Sequence, residues 1–139
     1  MLRDRSRTPD RGDSLSSRPV NASEVASTDL APDEAEAKLA AGAQLIDVRQ
    51  SYEWNAGHID GAVHIPLEEM PVRASGLDRD REIVVACRTG SRSAFATAAL
   101  REAGFAAFNL GGGLRAWVEA GKEIEPADGV VADPLPDGR

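Results

Sequence analysis

The residues of this chain able to do covalent chemistry are gathered in one stretch, Val84 to Phe95, which reads VVACRTGSRSAF. It holds the only cysteine of the sequence, Cys87, where an apolar run gives way to Arg88, Thr89, Gly90, Ser91, Arg92 and Ser93. A cysteine reacts as its thiolate. If a strand ends at Cys87 and a helix begins a few residues later, the turn between them can curl so that successive backbone N–H groups point inward at the sulfur. Such a nest, with the positive end of the following helix, favours an anion. A thiolate, a persulfide and a substrate oxyanion all qualify. Thiols in such places titrate anywhere from the ordinary value of about 8.5 down to about 3.5–7.5. Arg88 and Arg92 add permanent positive charge, and Gly90 permits the backbone conformation that a tight ring needs. The alternative is a structural cysteine buried at a strand end, the ordinary fate of a free thiol. A core thiol needs no cationic collar, and the two arginines, one glycine and three hydroxyls within these seven residues favour the reactive reading.

The flanking sequence supplies the elements that must position this turn. PDEAEAKLAAG predicts a helix, with Pro32 at its first position, acids in its first turn and Gly42 just past its end. AQLIDVR reads as a short buried strand, AVHIP as another, and LEEMPVRAS as a weak helix interrupted by Pro71. REIVVAC is a strand rich in β-branched residues that runs into the Cys87 turn. SRSAFATAALREAG is the clearest helix, with Ala96, Ala99, Leu100 and Ala103 expected on its inner face and Gly104 closing it. AAFNL is the last strand, and GGLRAWVEAG a final short helix ended by Gly121. Strands alternating with helices imply crossover connections and a parallel sheet covered on both faces. Sites in such sheets lie beyond the carboxyl ends of the strands, which is where Cys87 falls.

At 139 residues the chain suffices for one compact domain. Residues 1–20, rich in Arg, Ser and Asp, are expected to be a disordered tail, residues 21–125 the domain, and the Pro- and Gly-rich residues 126–139 a flexible tail. One cysteine excludes an internal disulfide and a cysteine-rich zinc site, and His58 and His64 are too few to replace one, so no metal or cofactor is expected. No apolar run is long enough to span a bilayer, and the N-terminus lacks the apolar core of a secretory signal. A net charge of −7 disfavours non-specific nucleic-acid binding. These features predict a cytoplasmic protein with neither nucleic-acid nor membrane partners.

Three segments in register resemble the rhodanese-like domains, and within them the single-domain sulfurtransferases. LIDVRQSYEWNAGHIDGAVHIP is similar to the family's first signature, with Asp47-Val48-Arg49, Glu53-Trp54, Gly57-His58-Ile59, Gly61-Ala62 and Ile65-Pro66. IVVACRTGSRSAFATAALREAGF resembles its active-site segment, and LGGGLRAWVEAG its closing motif, including Gly111-Gly112 and Trp117. The resemblance covers residues 24–125 and implies an α/β domain with a five-stranded parallel sheet flanked by helices on both faces. It implies a sulfurtransferase in which Cys87 takes a sulfane sulfur as a persulfide and passes it to a thiol or cyanide. The N–H groups of Arg88, Thr89, Gly90, Ser91 and Arg92 would cradle the outer sulfur, Ser93 would close the substrate loop, and the side chains of Arg88 and Arg92 would bind an anionic donor such as thiosulfate. A carrier or sensing module that delivers sulfur to a protein acceptor is the alternative. Phosphatases of the same fold place arginine six positions after the cysteine, where this chain has Ser93; here arginine falls five after, at Arg92.

Asp47 is expected to satisfy turn N–H groups and Arg49 to pair with Glu53 as a brace. His58 is expected to satisfy buried backbone groups, not to act as a base. Trp54, Trp117, Phe95 and Phe105 read as packing residues. Gly111–Gly113 lacks the spacing of a nucleotide loop.

Overall fold

The structure, a computed structural model, describes residues 28–133. The expected tail at residues 1–20 and the end of the C-terminal one lie outside these. Five strands form one parallel sheet: β1 (Asp29–Leu30), β2 (Gln44–Asp47), β3 (Val63–His64), β4 (Ile83–Ala86) and β5 (Ala107–Leu110), in the spatial order β1-β5-β4-β2-β3. Five α-helices connect and cover them: α1 (Pro32–Ala40), α2 (Ser51–Ala56), α3 (Met70–Arg73), α4 (Ser91–Glu102) and α5 (Gly113–Glu119). The fold is therefore the single α/β domain that the alternation of elements and the resemblance imply.

The central strand β4 is buried on both faces, and its pleat assigns each residue a side. Ile83, Val85 and Cys87 join Ile46, Val48, Ala96, Leu100 and Phe105 in one core. Val84 and Ala86 join Leu30, Leu45, Leu110, Leu114 and Trp117 in the other. Strand parity thus aims Cys87 at the layer that contains α4. β1 and α2 escape a search for periodicity: β1 has only two residues, and the one fully buried side chain of α2 is a glutamate. The weak LEEMPVRAS helix is broken into a 3-10 turn at Leu67–Glu69, α3, and a second 3-10 turn at Ala74–Gly76.

The inner face of α4 differs from the expected one. Ser93, Ala96, Thr97 and Leu100 are buried, whereas Ala99 and Ala103 are exposed. Turning Ser93 toward Cys87 rotates the helix, so Ala99 and Ala103 instead line an open apolar groove with Leu67, Met70 and Phe95. Phe95 is 71% exposed, which corrects its reading as a packing residue; Phe105 is buried as expected. Trp117 is also core, while Trp54 is half-buried and stacks with both His58 and His64, ring centroids 3.6 and 4.8 Å away. Residues 126–131 lie against the domain, with the Val130 N–H donating to Ala56 O and Val131 packed on the second core. Among the described residues no helix is long and apolar enough to cross a membrane.

Candidate active site

Cys87 follows directly on β4, and its residue is fully buried. Its sulfur is nevertheless surrounded by donors. Sγ accepts the Gly90 N–H at 3.1 Å and the Ser93 N–H at 3.4 Å, and lies 3.3 Å from Ser93 Oγ. Gly90 makes the ring close: it caps the start of α4 with φ of 101°, a conformation that a side chain disfavours. Of the five N–H groups expected to form the cradle, Gly90 supplies one contact to Sγ itself. The second comes from Ser93, one residue beyond the expected arc.

The loop is anchored from behind by α5. The N–H of Leu114 donates to Cys87 O at 2.9 Å, and that of Arg115 to Arg88 O at 3.1 Å. This approach requires Gly113, with φ of 64°: a Cβ there would collide with the carbonyl oxygens of both Arg88 and Cys87. The glycine run that lacks nucleotide-loop spacing thus has a different task, close contact with the cysteine loop.

Arg92 projects to Glu53, which it meets through two hydrogen bonds of 2.8 Å each. Burial pushes the Glu53 carboxyl up, but the hydrogen bond from Arg92, that from the Gln50 N–H and the charges of Arg92 and Arg49 outweigh it. The net result is a carboxyl held below its usual range. The Glu53 hydrogen bond in turn raises Arg92 above the ordinary arginine value against its own desolvation, with the charges of Glu53 and Cys87 acting in the same direction. Arg92 is therefore a fixed, largely neutralised cation beside the loop. The Arg88 guanidinium is one-fifth exposed and lies 3.6 Å from the Asp133 carboxylate.

The expected Arg49–Glu53 brace does not form. Arg49 is completely buried and pairs with Asp47, Nε to Oδ1 at 2.9 Å and Nη2 to Oδ2 at 2.8 Å, with Nη2 also donating to Gly57 O. Residues two apart on an extended chain share a side, which favours Asp47 over Glu53 as the partner. Asp47 does take a turn N–H, that of Arg49, as expected. His58 likewise serves the backbone: its Nδ1 lies 2.9 Å from Trp54 O, and its main chain exchanges hydrogen bonds with Glu125.

Two residues that sequence reasoning missed complete the site. Asn109, buried on β5, lies 2.5 Å from Ser93 Oγ through Oδ1, and through Nδ2 donates to Gly90 O at 3.1 Å and Asp29 Oδ1 at 3.0 Å. Asp29 is its register partner on β1. The one available signal was a polar residue inside the apolar strand AAFNL, near the end where sites of parallel sheets collect.

A model of the rhodanese-like domain matches residues 31–120. A sulfurtransferase of Allochromatium vinosum is 37% identical over 86 residues, covering 61% of this chain and 80% of the relative. The thiosulfate sulfurtransferase GlpE of Stutzerimonas stutzeri is 33% identical over 89 residues, 63% of this chain and 82% of that one. Among solved structures, a rhodanese-related protein of Thermoplasma volcanium superposes with a TM-score of 0.66 at 28% identity, covering 69% of this chain and 95% of the other. With its parallel sheet, its cysteine turn and the match along most of its described length, the chain belongs to the rhodanese-like domain family.

Proposed function

We propose that this protein is a sulfurtransferase that moves one sulfane sulfur through a persulfide on Cys87. The Cys87 thiolate attacks the outer sulfur of thiosulfate. The new S–S bond takes its electron pair from the thiolate, the old S–S bond breaks, and sulfite leaves with that bond's pair. A thiol or cyanide then attacks the terminal sulfur of the persulfide, and the Cys87 thiolate departs unchanged. This is covalent catalysis in two half-reactions, with an anionic sulfur to be stabilised before and after each.

The observation that carries this reading is the pair of N–H groups, from Gly90 and Ser93, that converge on Sγ of a buried thiol. In the persulfide the N–H groups of Arg88, Thr89, Gly90, Ser91 and Arg92 cradle the outer sulfur, with Ser93 holding the inner one. Arg88 meets the sulfonate end of the donor. Arg92, committed to Glu53, keeps the loop in shape and adds a weaker attraction. A reactant that offers a single terminal sulfur suits a buried nucleophile better than one with bulk at the reacting atom. The names of the two relatives above agree with the class of reaction.

Mass spectrometry of the intact chain after thiosulfate treatment tests the reading. The expected result is a gain of one sulfur atom, removed by cyanide with release of thiocyanate, and no gain in Cys87→Ser. An adduct that discharges only onto a particular protein would favour the carrier role. No adduct from thiosulfate or any other sulfane donor would overturn the proposal.

A further inference from the structure

Ser93 Oγ has one proton and two neighbours that can take it, Cys87 Sγ at 3.3 Å and Asn109 Oδ1 at 2.5 Å. The orientation of the Asn109 amide is decided by its partners. Gly90 O and the Asp29 carboxylate only accept, so the amide NH2 must face them and Oδ1 must face Ser93. The Ser93 hydroxyl therefore donates to Asn109, at the shorter of its two distances, and turns a lone pair to the sulfur. That arrangement suits a thiol, whose S–H can donate to Ser93 Oγ. It gives a thiolate no donor beyond the Gly90 and Ser93 N–H groups and sets an oxygen lone pair against the negative sulfur.

We infer that Asn109 is a positioning residue that competes with Cys87 for the Ser93 proton and so sets how readily the thiolate forms. In the resting thiol, S–H donates to Ser93 and Ser93 donates to Asn109. When the thiol proton leaves to solvent, the Ser93 hydroxyl rotates toward the sulfur and Asn109 Oδ1 loses its donor. Each ionisation thus gives up two hydrogen bonds, S–H to Ser93 and Ser93 to Asn109, for the one that Ser93 then donates to the sulfur, and Asn109 restrains the thiolate. This rests on Cys87 being the reacting atom of the proposed transfer. The other charged groups around Cys87 are Arg92 of α4, held by Glu53 of α2; Arg88 of the loop, beside Asp133; and Asp29 of β1, behind Asn109.

The test measures the pH midpoint of Cys87 alkylation by iodoacetamide, which forms a thioether, releases iodide and needs no sulfur donor. Asn109→Leu removes the competing acceptor and keeps the branched outline, with some added bulk. Gly90 O retains the Ala94 N–H, and the exposed Asp29 returns to water. Asn109→Ala, which removes the same acceptor without added bulk, is measured beside it. The midpoint should fall by about one pH unit, about tenfold more thiolate at a fixed lower pH, because the hydroxyl is now free for the sulfur. In a Ser93→Ala background the same substitutions should move it by less than about 0.2 units, since no proton remains to compete for. Equal shifts in both backgrounds, or no fall with Ser93 present, would overturn the inference. Normal sulfur loading by thiosulfate alongside such a result would leave the sulfurtransferase reading standing.

Discussion

Glu53→Gln removes the buried partner of Arg92 without changing the shape of the side chain. In the native protein the carboxylate is fully buried and receives two hydrogen bonds from Arg92 and one from the Gln50 N–H. Removing one member of a buried pair costs about 3–5 kcal/mol when the other is left dry. The Arg92 side chain is 31% exposed and can be partly rehydrated, so a loss of about 2 kcal/mol is expected instead. For a domain of this size that lowers the melting midpoint at pH 7 by roughly 10 °C. The pH dependence identifies the carboxylate as the cause. Because the native carboxyl lies below its ordinary value, its contribution is complete above pH ~4.3 and fades as the pH falls through the lower native value. Thermal melts of parent and variant from neutral pH downward should converge on the acid side, the parent approaching the variant. The gap holding its size at acid pH, or no gap at neutral pH, would refute the assignment of Glu53 as the ionised anchor of Arg92.

Gly113→Ala should cost several kcal/mol, about 3 or more, since the new Cβ meets the carbonyls of Cys87 and Arg88 at a backbone φ of 64°; a melt and an assay of sulfur loading should both register the loss. Asp133→Asn should raise the reactivity of Cys87 toward iodoacetate relative to the neutral iodoacetamide by about twofold at low salt, and the difference should vanish toward 1 M salt, because the Asp133 carboxylate sits against the exposed edge of Arg88. An unchanged ratio would detach Asp133 from the site. Phe95→Ser should leave the melting midpoint nearly unchanged, within about 0.5 kcal/mol, as expected for a ring that is mostly in water. A large loss would restore Phe95 to the core.

What could be read in the sequence was what local spacing determines. The period of two along Ile83–Cys87 fixes which core the thiol faces, and Gly90 marks the turn that returns the chain to the sulfur. Gly42 and Gly104 likewise end their helices where the sequence places them. What escaped are pairings between distant positions. Glu53 and Arg92 stand 39 residues apart, and Asn109 and Asp29 stand 80 apart. No pattern within one segment reports which charged groups the sheet order will bring together. Arg49 is a different case, a local one: its sequence neighbours offered two carboxylates, and the extended chain leaving β2 puts Asp47, two residues away, on its side. The inner face of α4 was misread because alanine marks a buried stripe only weakly, whereas the buried residues include Ser93 and Thr97, held by hydrogen bonds.

The glycine motif after β5 bears on the cysteine loop through peptide geometry. In a trans peptide the C=O and N–H of one unit point in opposite directions. The Leu114 N–H fixes the Cys87 carbonyl toward α5, so the N–H of the same unit, on Arg88, must face away from α5. The Arg115 N–H does the same to the Arg88 carbonyl, and hence to the Thr89 N–H. Asn109 and the Ala94 N–H together hold the Gly90 carbonyl, which fixes the Ser91 N–H in turn. Three donors of the loop are thus aimed by what grips the opposite end of each peptide. The proposed cradle would owe its shape to Gly113, which lets α5 come close, and to Asn109, as much as to the residues between Cys87 and Ser93. A substitution that leaves CRTGSRS intact and loosens either grip should therefore weaken the stabilisation of an outer sulfur while the thiol itself stays in place.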